Sequence, residues 1–174
     1  MPDLTVLSLG AGVQSTCLYL MACNGETDER PDIAIFADTG WEPASVYEHL
    51  DKLKSAGDIP IRIVSRGNIR TDFLSHIERW RENGGGWSRV GQPPFYVKQP
   101  DELAIAKGAS LDQGGTLWRQ CTRDYKIEPI QKEIRRLLGY KKGERVKKHV
   151  HQWFGISLDE IQRMKESRLS YVAH

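Results

Sequence analysis

The stretch SLGAGVQST, from Ser8 to Thr16, follows an apolar run at residues 4–9 and leads into a helical pattern. Its glycines, Gly10 and Gly12, contribute little to a core, but they let backbone N–H groups approach an anion closely. The N-terminus of the following helix favours negative charge, and two hydroxyls at the end of the stretch add donors. The stretch therefore predicts a phosphate-binding turn, with a tight turn packed against a sheet as the alternative.

The order of apolar runs and helical patterns predicts a parallel sheet. The runs typical of buried strands lie at residues 4–9, Ile33–Asp38, Ile61–Ser65 and 149–156. The segments with helical spacing lie at Val13–Cys23, 43–57, 71–82 and 127–138. This alternation predicts an α/β fold: a doubly wound, mainly parallel sheet with helices on both faces.

The length of 174 residues predicts one domain over residues 1–174. Residues 84–118 are rich in Gly and Pro and show little periodicity around a short helical stretch at 101–108. A loop this long inside a compact domain predicts a lid or a substrate-facing segment. Ser157 and Glu160 match a capping box, which predicts a final helix. The chain is either a short protein or the front part of a longer one.

Positive charge is concentrated in one segment, although the net charge of the chain is only +2. Residues 119–148 contain eleven Lys and Arg against four Asp and Glu, so this segment carries +7. Such a balance predicts an anionic partner, either a nucleotide or other phosphate, or a nucleic acid. A solvated helix face is the alternative explanation of the same pattern.

The sequence lacks the patterns of membrane, secreted and disulfide-rich proteins. No run of eighteen apolar residues occurs, and the N-terminus lacks the basic and apolar parts of a signal peptide, which predicts a cytoplasmic protein with no membrane partner. Cys17, Cys23 and Cys121 are odd in number and irregular in spacing, so free buried thiols are expected. The sequence leaves a homo-oligomer open.

Three types of phosphate loop compete for the GAGVQST residues. A Walker A loop requires Gly-Lys before its Ser or Thr, and no Gly-Lys precedes Ser15. A dinucleotide fingerprint would need its third glycine at Ser15, although Asp38 at the end of the second strand could hold a ribose. The pyrophosphatase loop, S-G-G-x-D-S-T, aligns with the stretch from Gly10 to Thr16.

Four blocks in order carry a wider resemblance. They are SLGAGVQST, FADTGWEP at 36–43, CTRDYKIEPI at 121–130 and WFGISLDE at 153–160. On these blocks the chain resembles the phosphoadenosine phosphosulfate reductase family of the adenine nucleotide α-hydrolase superfamily, particularly its divergent members in phages and DNA-modification clusters.

The resemblance implies a role for residues in each block. The phosphates of the nucleotide would be held by Gly10, Ala11, Gly12, Val13, Gln14, Ser15 and Thr16. The adenosine side of the pocket would be lined by Asp38, Thr39 and Gly40. The cations at the phosphate end would be Lys126, with Arg119 and Arg123. The residues that close the site would be Gly155, Asp159 and Glu160. The resemblance makes Ser15, Lys126 and Arg119 the expected catalytic residues.

The chain also departs from the family pattern. Gly10 stands where the loop usually has Ser, and Gln14 stands where it usually has Asp, so one hydroxyl and one carboxylate are missing. Reductases of the family need a cysteine near the C-terminus, and no cysteine follows Cys121. Gln120 precedes Cys121 and no later pair occurs, so no iron–sulfur cluster is expected within one chain.

Together these features predict ATP, or a related adenine nucleotide, as the ligand, with Mg²⁺ held largely by its phosphates. An acceptor, for which a nucleobase is a candidate, would attack the α-phosphorus, and pyrophosphate would leave. One alternative is a sulfonucleotide reductase that takes its cysteine from elsewhere. The other is a nucleotide-sensing or nucleic-acid-binding module without catalysis.

Four further residues are weaker candidates. His149 and His151 alternate along a strand and could hold a metal, but no third ligand is in register, so no metal site is predicted. Trp118 could stack on a base. Cys121 could be a nucleophile activated by nearby cations, although its block has a positional role in the family.

Overall fold

The central sheet contains five parallel strands. The computed structural model describes residues 1–84, 96–97, 115–116 and 121–174. The strands of the sheet are β1 (Leu4–Ser8), β2 (Ile33–Asp38), β3 (Ile61–Ser65), β6 (Val150–Phe154) and β7 (Val172–Ala173). Their order across the sheet is β3-β2-β1-β6-β7, and every neighbouring pair is parallel. The predicted strands are confirmed, and β7 is an addition that no sequence pattern predicts.

Both faces of the sheet are buried. On β2, Ile33, Ile35 and Ala37 belong to one apolar cluster, while Ala34 and Phe36 belong to another on the opposite face. Because side chains alternate along a strand, a run of five buried residues requires cover on both sides.

The helices supply that cover. The α-helices of the described chain are α1 (Val13–Cys23), α2 (Ala44–Ala56), α3 (Ile69–Glu82) and α4 (Glu128–Leu137). Tyr19 of α1 and Leu50 of α2 pack in the cluster with Phe36, whereas Ile130 and Ile134 of α4 pack in the cluster with Ile35. Helices therefore lie on both faces, and the predicted α/β fold is confirmed.

A π-helix, Thr122–Ile127, leads directly into α4. Pro129 lies in the first turn of α4, directly after the π-helix, and its missing N–H leaves one hydrogen bond of the continuous helical segment unmade. The sequence predicts the apolar face of α4 but not the wider turn before it. Asn68 caps α3, since its side-chain oxygen accepts from the Arg70 and Thr71 amides, and α3 begins two residues before the predicted start.

The predicted final helix is wrong in type. Residues Leu158–Arg163 form a 3₁₀ helix, and Glu160 interrupts it with φ −108° and ψ 16°. Ser157 occupies the N-cap, but its side chain makes no cap hydrogen bond. The segment then runs on to β7, which pairs with the start of β6. The C-terminal segment therefore pairs with the edge of the sheet through β7 and does not form a regular α-helix.

Most of the predicted lid at residues 84–118 lies outside the described residues, including the short helix at 101–108. Within it, β4 (Tyr96–Val97) and β5 (Gly115–Thr116) pair antiparallel. In the described part of the chain, no helix is both long and apolar enough to cross a membrane.

Candidate nucleotide site

The carboxyl ends of β1 and β6 define the candidate site. The chain passes from β1 to β2 on one side and later returns to β6 on the other, so the direction of winding reverses between β1 and β6. Ligands of open parallel sheets bind at such a reversal, beyond the carboxyl ends of the strands. Gly10 follows β1, Gly40 follows β2 and Gly155 follows β6, so the fold brings three of the four sequence blocks to this edge.

The turn after β1 contains a strained residue. Ala11 has φ 54°, and no other non-glycine residue of the described chain has a positive φ. A left-handed conformation costs an L-residue roughly 1–2 kcal/mol. Strain of this kind is concentrated at ligand sites, where the surrounding structure maintains it.

The Ser15 hydroxyl maintains this turn. Ser15 Oγ accepts from the Gly10 amide at 3.2 Å and donates to the Gly12 carbonyl at 3.2 Å. The residue is only 7% exposed. The structure therefore gives Ser15 a clear role in holding the loop, while its predicted contact with phosphate stays a prediction.

The N-terminus of α1 offers free amides beside the turn. Gly12 is the N-cap and has no side chain, and the first turn contains no acidic residue. The first backbone hydrogen bond of the helix runs from the Thr16 amide to the Gly12 carbonyl, so the amides of Val13 and Gln14 precede it. Val13 is 83% exposed, which leaves this end of the helix open to an anion.

Gly155 closes one side of the turn. A Cβ built on Gly155 would lie 2.6 Å from both the Gln14 carbonyl carbon and the Ser15 Cα. No side chain fits at this position, so the loop after β6 packs backbone to backbone against α1. The contact places Gly155 beside the first turn of α1, and its closure of the site stays a prediction.

Hydrogen bonds of its own side chains hold the turn at Asp38 in place. Asp38 Oδ1 accepts from the Gly40 amide at 2.8 Å and from the Tyr47 hydroxyl at 2.9 Å. Burial, and then the hydrogen bond to Asp38, raise the pKa of Tyr47. Thr39 is buried and donates to Glu42 Oε1 at 2.9 Å. One oxygen of Asp38 is thus committed to the turn, and Oδ2 takes no part in these bonds.

Gly40 is required by both conformation and space. Its φ is 71°, and a Cβ would lie 2.8 Å from the Asn68 Cα. Asn68 also donates from Nδ2 to the Gly40 carbonyl at 2.5 Å. The D-T-G turn is therefore fixed against the loop that precedes α3.

Lys126 reaches the same edge from the π-helix. Its Nζ lies 3.6 Å from Glu42 Oε1, and its side chain is 47% exposed. Glu42 thus links Lys126 to Thr39. The structure brings the third sequence block to the Asp38 turn and leaves the ammonium group accessible, while the predicted place of Lys126 at the phosphate end stays a prediction.

The π-helix is anchored by residues that sequence reasoning missed. The Tyr125 hydroxyl donates to Asp72 Oδ2 at 2.5 Å, and burial followed by this bond raises the pKa of Tyr125 to about 12. Arg66 lies over the Tyr125 ring, 5.4 Å from its centroid, and its guanidinium is 3.3 Å from Asp124 Oδ2. No local pattern marks a contact between residues so distant in sequence.

Two further contacts at this edge were not predicted. Thr16 Oγ1 lies 2.9 Å from His49 Nε2 of α2, so its hydroxyl already has a protein partner. Trp41 is 52% exposed beside the D-T-G turn, and the Arg70 guanidinium lies 5.8 Å from its ring centroid. An aromatic residue directly after D-T-G was the signal that could have marked this pair.

Other predicted residues are not gathered at the site. Arg119 and Trp118 lie outside the described residues. Arg123 is exposed and lies 3.5 Å from Glu128, its neighbour along the same helix. Cys121 is half-buried and is not part of a disulfide.

The described side chains form no obvious metal centre. Within residues 1–84 and 121–174, no group of three or more His, Cys, Asp and Glu could hold a metal ion. His151 Nδ1 lies 3.3 Å from Glu29, and His149 is exposed just before β6.

Comparison with known proteins gives no match to any family model, curated protein or solved structure. The resemblance to the phosphoadenosine phosphosulfate reductase family therefore stays a prediction that rests on the four sequence blocks.

Proposed function

We propose that the chain is an enzyme that binds ATP, or a related adenine nucleotide, and transfers its adenylyl group to an acceptor. The observation that carries this proposal is the strained turn at Ala11, which precedes the open N-terminus of α1 at the winding reversal of the sheet. Such a turn favours an anion because backbone amides and the helix dipole point to the same place.

In the proposed reaction, an oxygen of the acceptor attacks the α-phosphorus. A new oxygen–phosphorus bond forms, the bond between the α-phosphorus and its bridging oxygen breaks, and pyrophosphate leaves with the electron pair. The protein would contribute positioning and charge neutralisation, which supply most of the catalysis in phosphoryl and related transfers. The Val13 and Gln14 amides would hold phosphate oxygens.

Lys126 would neutralise phosphate charge. Its Nζ lies 3.6 Å from Glu42 Oε1, and the lysine side chain is 47% exposed while that of the glutamate is 19% exposed, so this long ion pair is partly open to water and contributes about 1 kcal/mol. A phosphate can therefore take the ammonium group from Glu42 at little cost. In this exchange the Lys126 side chain would leave Glu42 and contact the ligand, while the backbone of the π-helix would stay in place.

Mg²⁺ fits this site as an ion held mainly by the nucleotide. Mg²⁺ would be held by one protein carboxylate together with the substrate phosphates, and it would supply charge neutralisation at those phosphates. Asp38 Oδ2 is outside the hydrogen bonds of its turn, so Asp38 fits as the single protein carboxylate.

A nucleotide-sensing module without catalysis is the second candidate. It is favoured by Gly10 and Gln14, which replace a hydroxyl and a carboxylate of the family loop, and by the Ser15 hydroxyl, which is already bonded inside the turn. A sulfonucleotide reductase would need a cysteine that this sequence does not contain after Cys121.

The deciding experiment uses ATP labelled at the α-phosphate, with Mg²⁺ and candidate nucleobase acceptors. The proposal predicts pyrophosphate together with AMP or an adenylylated acceptor, and Lys126→Ala should abolish turnover. Lys52→Ala is the matched control, because Lys52 is an exposed lysine of α2. ADP and orthophosphate would contradict the proposal, and tight binding without cleavage would favour the sensing module.

A further inference from the structure

The basic segment at residues 119–148 divides between the two edges of the sheet. Lys126 lies at the carboxyl edge beside Glu42. The chain then follows α4 and reaches the start of β6, where Val150 pairs with Leu4, the first residue of β1. The last part of the segment therefore lies at the amino edge, separated from the Gly10 turn by the five residues of β1, or about 17 Å.

The α4–β6 loop, residues 139–149, holds most of this charge. Between Gly139 and His149 the sequence has five Lys and Arg against one Glu, a net charge of +4. The five cationic residues of the loop are all exposed: Lys141, Lys142, Arg145, Lys147 and Lys148. Within the described chain, only Lys148 among them uses its side chain in a hydrogen bond, to the Leu138 carbonyl at 3.2 Å.

The loop is ordered by contacts that leave the cations outside. Arg135 of α4 donates to the Lys141 carbonyl at 2.6 Å and to the Glu144 carbonyl at 2.7 Å. Tyr140 and Val146 pack against the core cluster below, and the Tyr140 hydroxyl accepts from the Lys147 amide at 3.2 Å. The cations are thus presented on a fixed backbone.

Two acidic groups near the loop are bonded to its backbone, and a third, Glu29, lies 3.3 Å from His151 Nδ1 in β6. Glu144 Oε2 accepts from the Lys141 amide at 2.7 Å, and Asp3 Oδ2 accepts from the His149 amide at 2.8 Å. Neither carboxylate forms a salt bridge with a loop cation in the described chain. The positive field of the loop is therefore only partly compensated by its own acids.

We propose that the α4–β6 loop is a docking surface for the phosphate backbone of a nucleic acid. Several exposed lysine and arginine side chains on an ordered backbone suit closely spaced phosphates and provide binding without base recognition. A membrane surface fits less well, because the exposed apolar side chains that strengthen interfacial binding are absent from this loop. Among the described residues, the exposed large hydrophobic side chains all lie outside this loop.

The docking surface does not depend on the proposed nucleotide chemistry, since the two sites lie at opposite edges of the sheet. If a nucleobase is the acceptor at the carboxyl edge, the loop would bind a part of the same nucleic acid that is remote from the reacting base. ATP bound at the Gly10 turn would not cover the loop.

The test compares two double variants that remove the same charge. Lys142→Ser/Arg145→Ser removes two loop cations, whereas Lys52→Ser/Lys54→Ser removes two exposed lysines of α2, which packs on the other face of the sheet. Fluorescence anisotropy would measure the affinity of each protein for a short DNA duplex and a short single-stranded RNA between about 50 and 200 mM salt.

Removal of one cation that binds a phosphate should lower duplex affinity about tenfold near 0.1 M salt and reduce the salt slope by about 0.9. The loop variant should therefore bind about a hundredfold more weakly, while the α2 variant stays near wild type. Lys142→Arg/Arg145→Lys should retain binding, because it keeps the charge. Circular dichroism would verify that the variants fold.

Three results would overturn the proposal: no binding at low salt, equal weakening in the two double variants, or tighter loop-dependent binding to phosphatidylserine vesicles than to nucleic acid. Binding in the presence of saturating ATP separates this proposal from the nucleotide site. Loss of adenylyl transfer with nucleic-acid binding intact would leave the docking surface standing.

Discussion

Gly155 packs against Ser15 so closely that a Cβ on Gly155 would lie 2.6 Å from the Ser15 Cα. This contact joins the loop after β6 to the first turn of α1, at the point between β1 and β6 where the direction of winding reverses. The helix N-terminus is thus packed against the loop after β6. Within the turn, the Ser15 hydroxyl also holds it through hydrogen bonds to Gly10 and Gly12. The strained Ala11 conformation is held between these two sets of contacts.

Substitution of Gly155 should displace the turn. Gly155→Ala places a methyl group against backbone atoms that cannot rotate away, and such overpacking costs about 1–3 kcal/mol. We expect a lower denaturation midpoint in urea and a weaker response of the melting temperature to ATP.

Gly12→Ala is the informative partner of that variant. A Cβ on Gly12 would meet nothing within 4 Å, and its φ of −89° suits alanine, so stability should stay within about 1 kcal/mol of wild type. The added methyl group would nevertheless stand at the proposed phosphate position. Weaker ATP binding without a loss of stability is expected in calorimetry. Unchanged ATP affinity would argue against an anion at this turn.

Removal of the Ser15 hydroxyl should destabilise the protein itself. Ser15→Ala deletes both hydrogen bonds that close the turn, and at about 0.5–1.5 kcal/mol for each bond the free energy of unfolding should fall by about 1–3 kcal/mol. Urea denaturation would measure the change in the free energy of unfolding.

Ser55→Ala is a suitable control for Ser15→Ala. The Ser55 hydroxyl also donates to a backbone carbonyl, that of Asp51, but it is exposed on α2, so its removal should change stability by less than about 0.5 kcal/mol. Equal effects of the two substitutions would show that the Ser15 bonds do not support the turn.

Stability should fall at high pH because of Tyr125 and Tyr19. Burial is the main cause that raises the pKa of each phenol from 10.0 to about 12 in the folded protein. The folded state therefore binds these protons more tightly than the unfolded state. The contribution of these phenols to the free energy of unfolding is fully present below pH 10 and is lost as pH rises from 10 to about 12. For Tyr125 alone this contribution amounts to about 2–3 kcal/mol.

Tyr125→Phe should remove part of this dependence. The variant lacks the bond to Asp72 but has no phenol to ionise, so its unfolding free energy should decline less steeply above pH 10 than that of the wild type. Urea denaturation at a series of pH values gives both slopes. Parallel curves for the two proteins would mean that Tyr125 does not titrate differently on folding.

The parts of the fold that the sequence predicts correctly are those with a repeated local signal. β2 has five consecutive buried apolar residues, and α4 has Ile130 and Ile134 at helical spacing, so tertiary packing and local pattern agree. β7 has only two residues, and its pairing with Val150 depends on contacts that no periodicity encodes. The capping box failed at Ser157 for the same reason, since the route to β7 determines that segment.

The candidate site is predicted in its position but not in its internal bonding. The Gly10 and Asp38 turns lie at the expected edge because parallel strands end together. That the Ser15 hydroxyl, the Thr39 hydroxyl and Asp38 Oδ1 would be engaged within the protein could not be known, since each partner depends on the turn conformation. The charge count predicts one basic surface, whereas α4 carries the basic segment from one edge of the sheet to the other.

Lys126 and Glu42 should have opposite effects on nucleotide binding. If phosphate displaces Glu42 from Lys126, then Glu42→Gln removes the competitor, and ATP should bind severalfold more tightly with a change in stability below about 1 kcal/mol. Lys126→Met removes a charge-assisted contact worth about 1.5–3 kcal/mol, so ATP should bind about 10- to 100-fold more weakly.

The double variant should resemble Lys126→Met, because Glu42 can compete with phosphate only for the Lys126 ammonium group, which this variant lacks. Isothermal titration calorimetry gives the four affinities, and Lys126→Arg should retain most of the binding. Weaker binding in Glu42→Gln would instead assign Glu42 a direct contact with the ligand or its metal, and additive effects in the double variant would show that the two residues do not compete through one another.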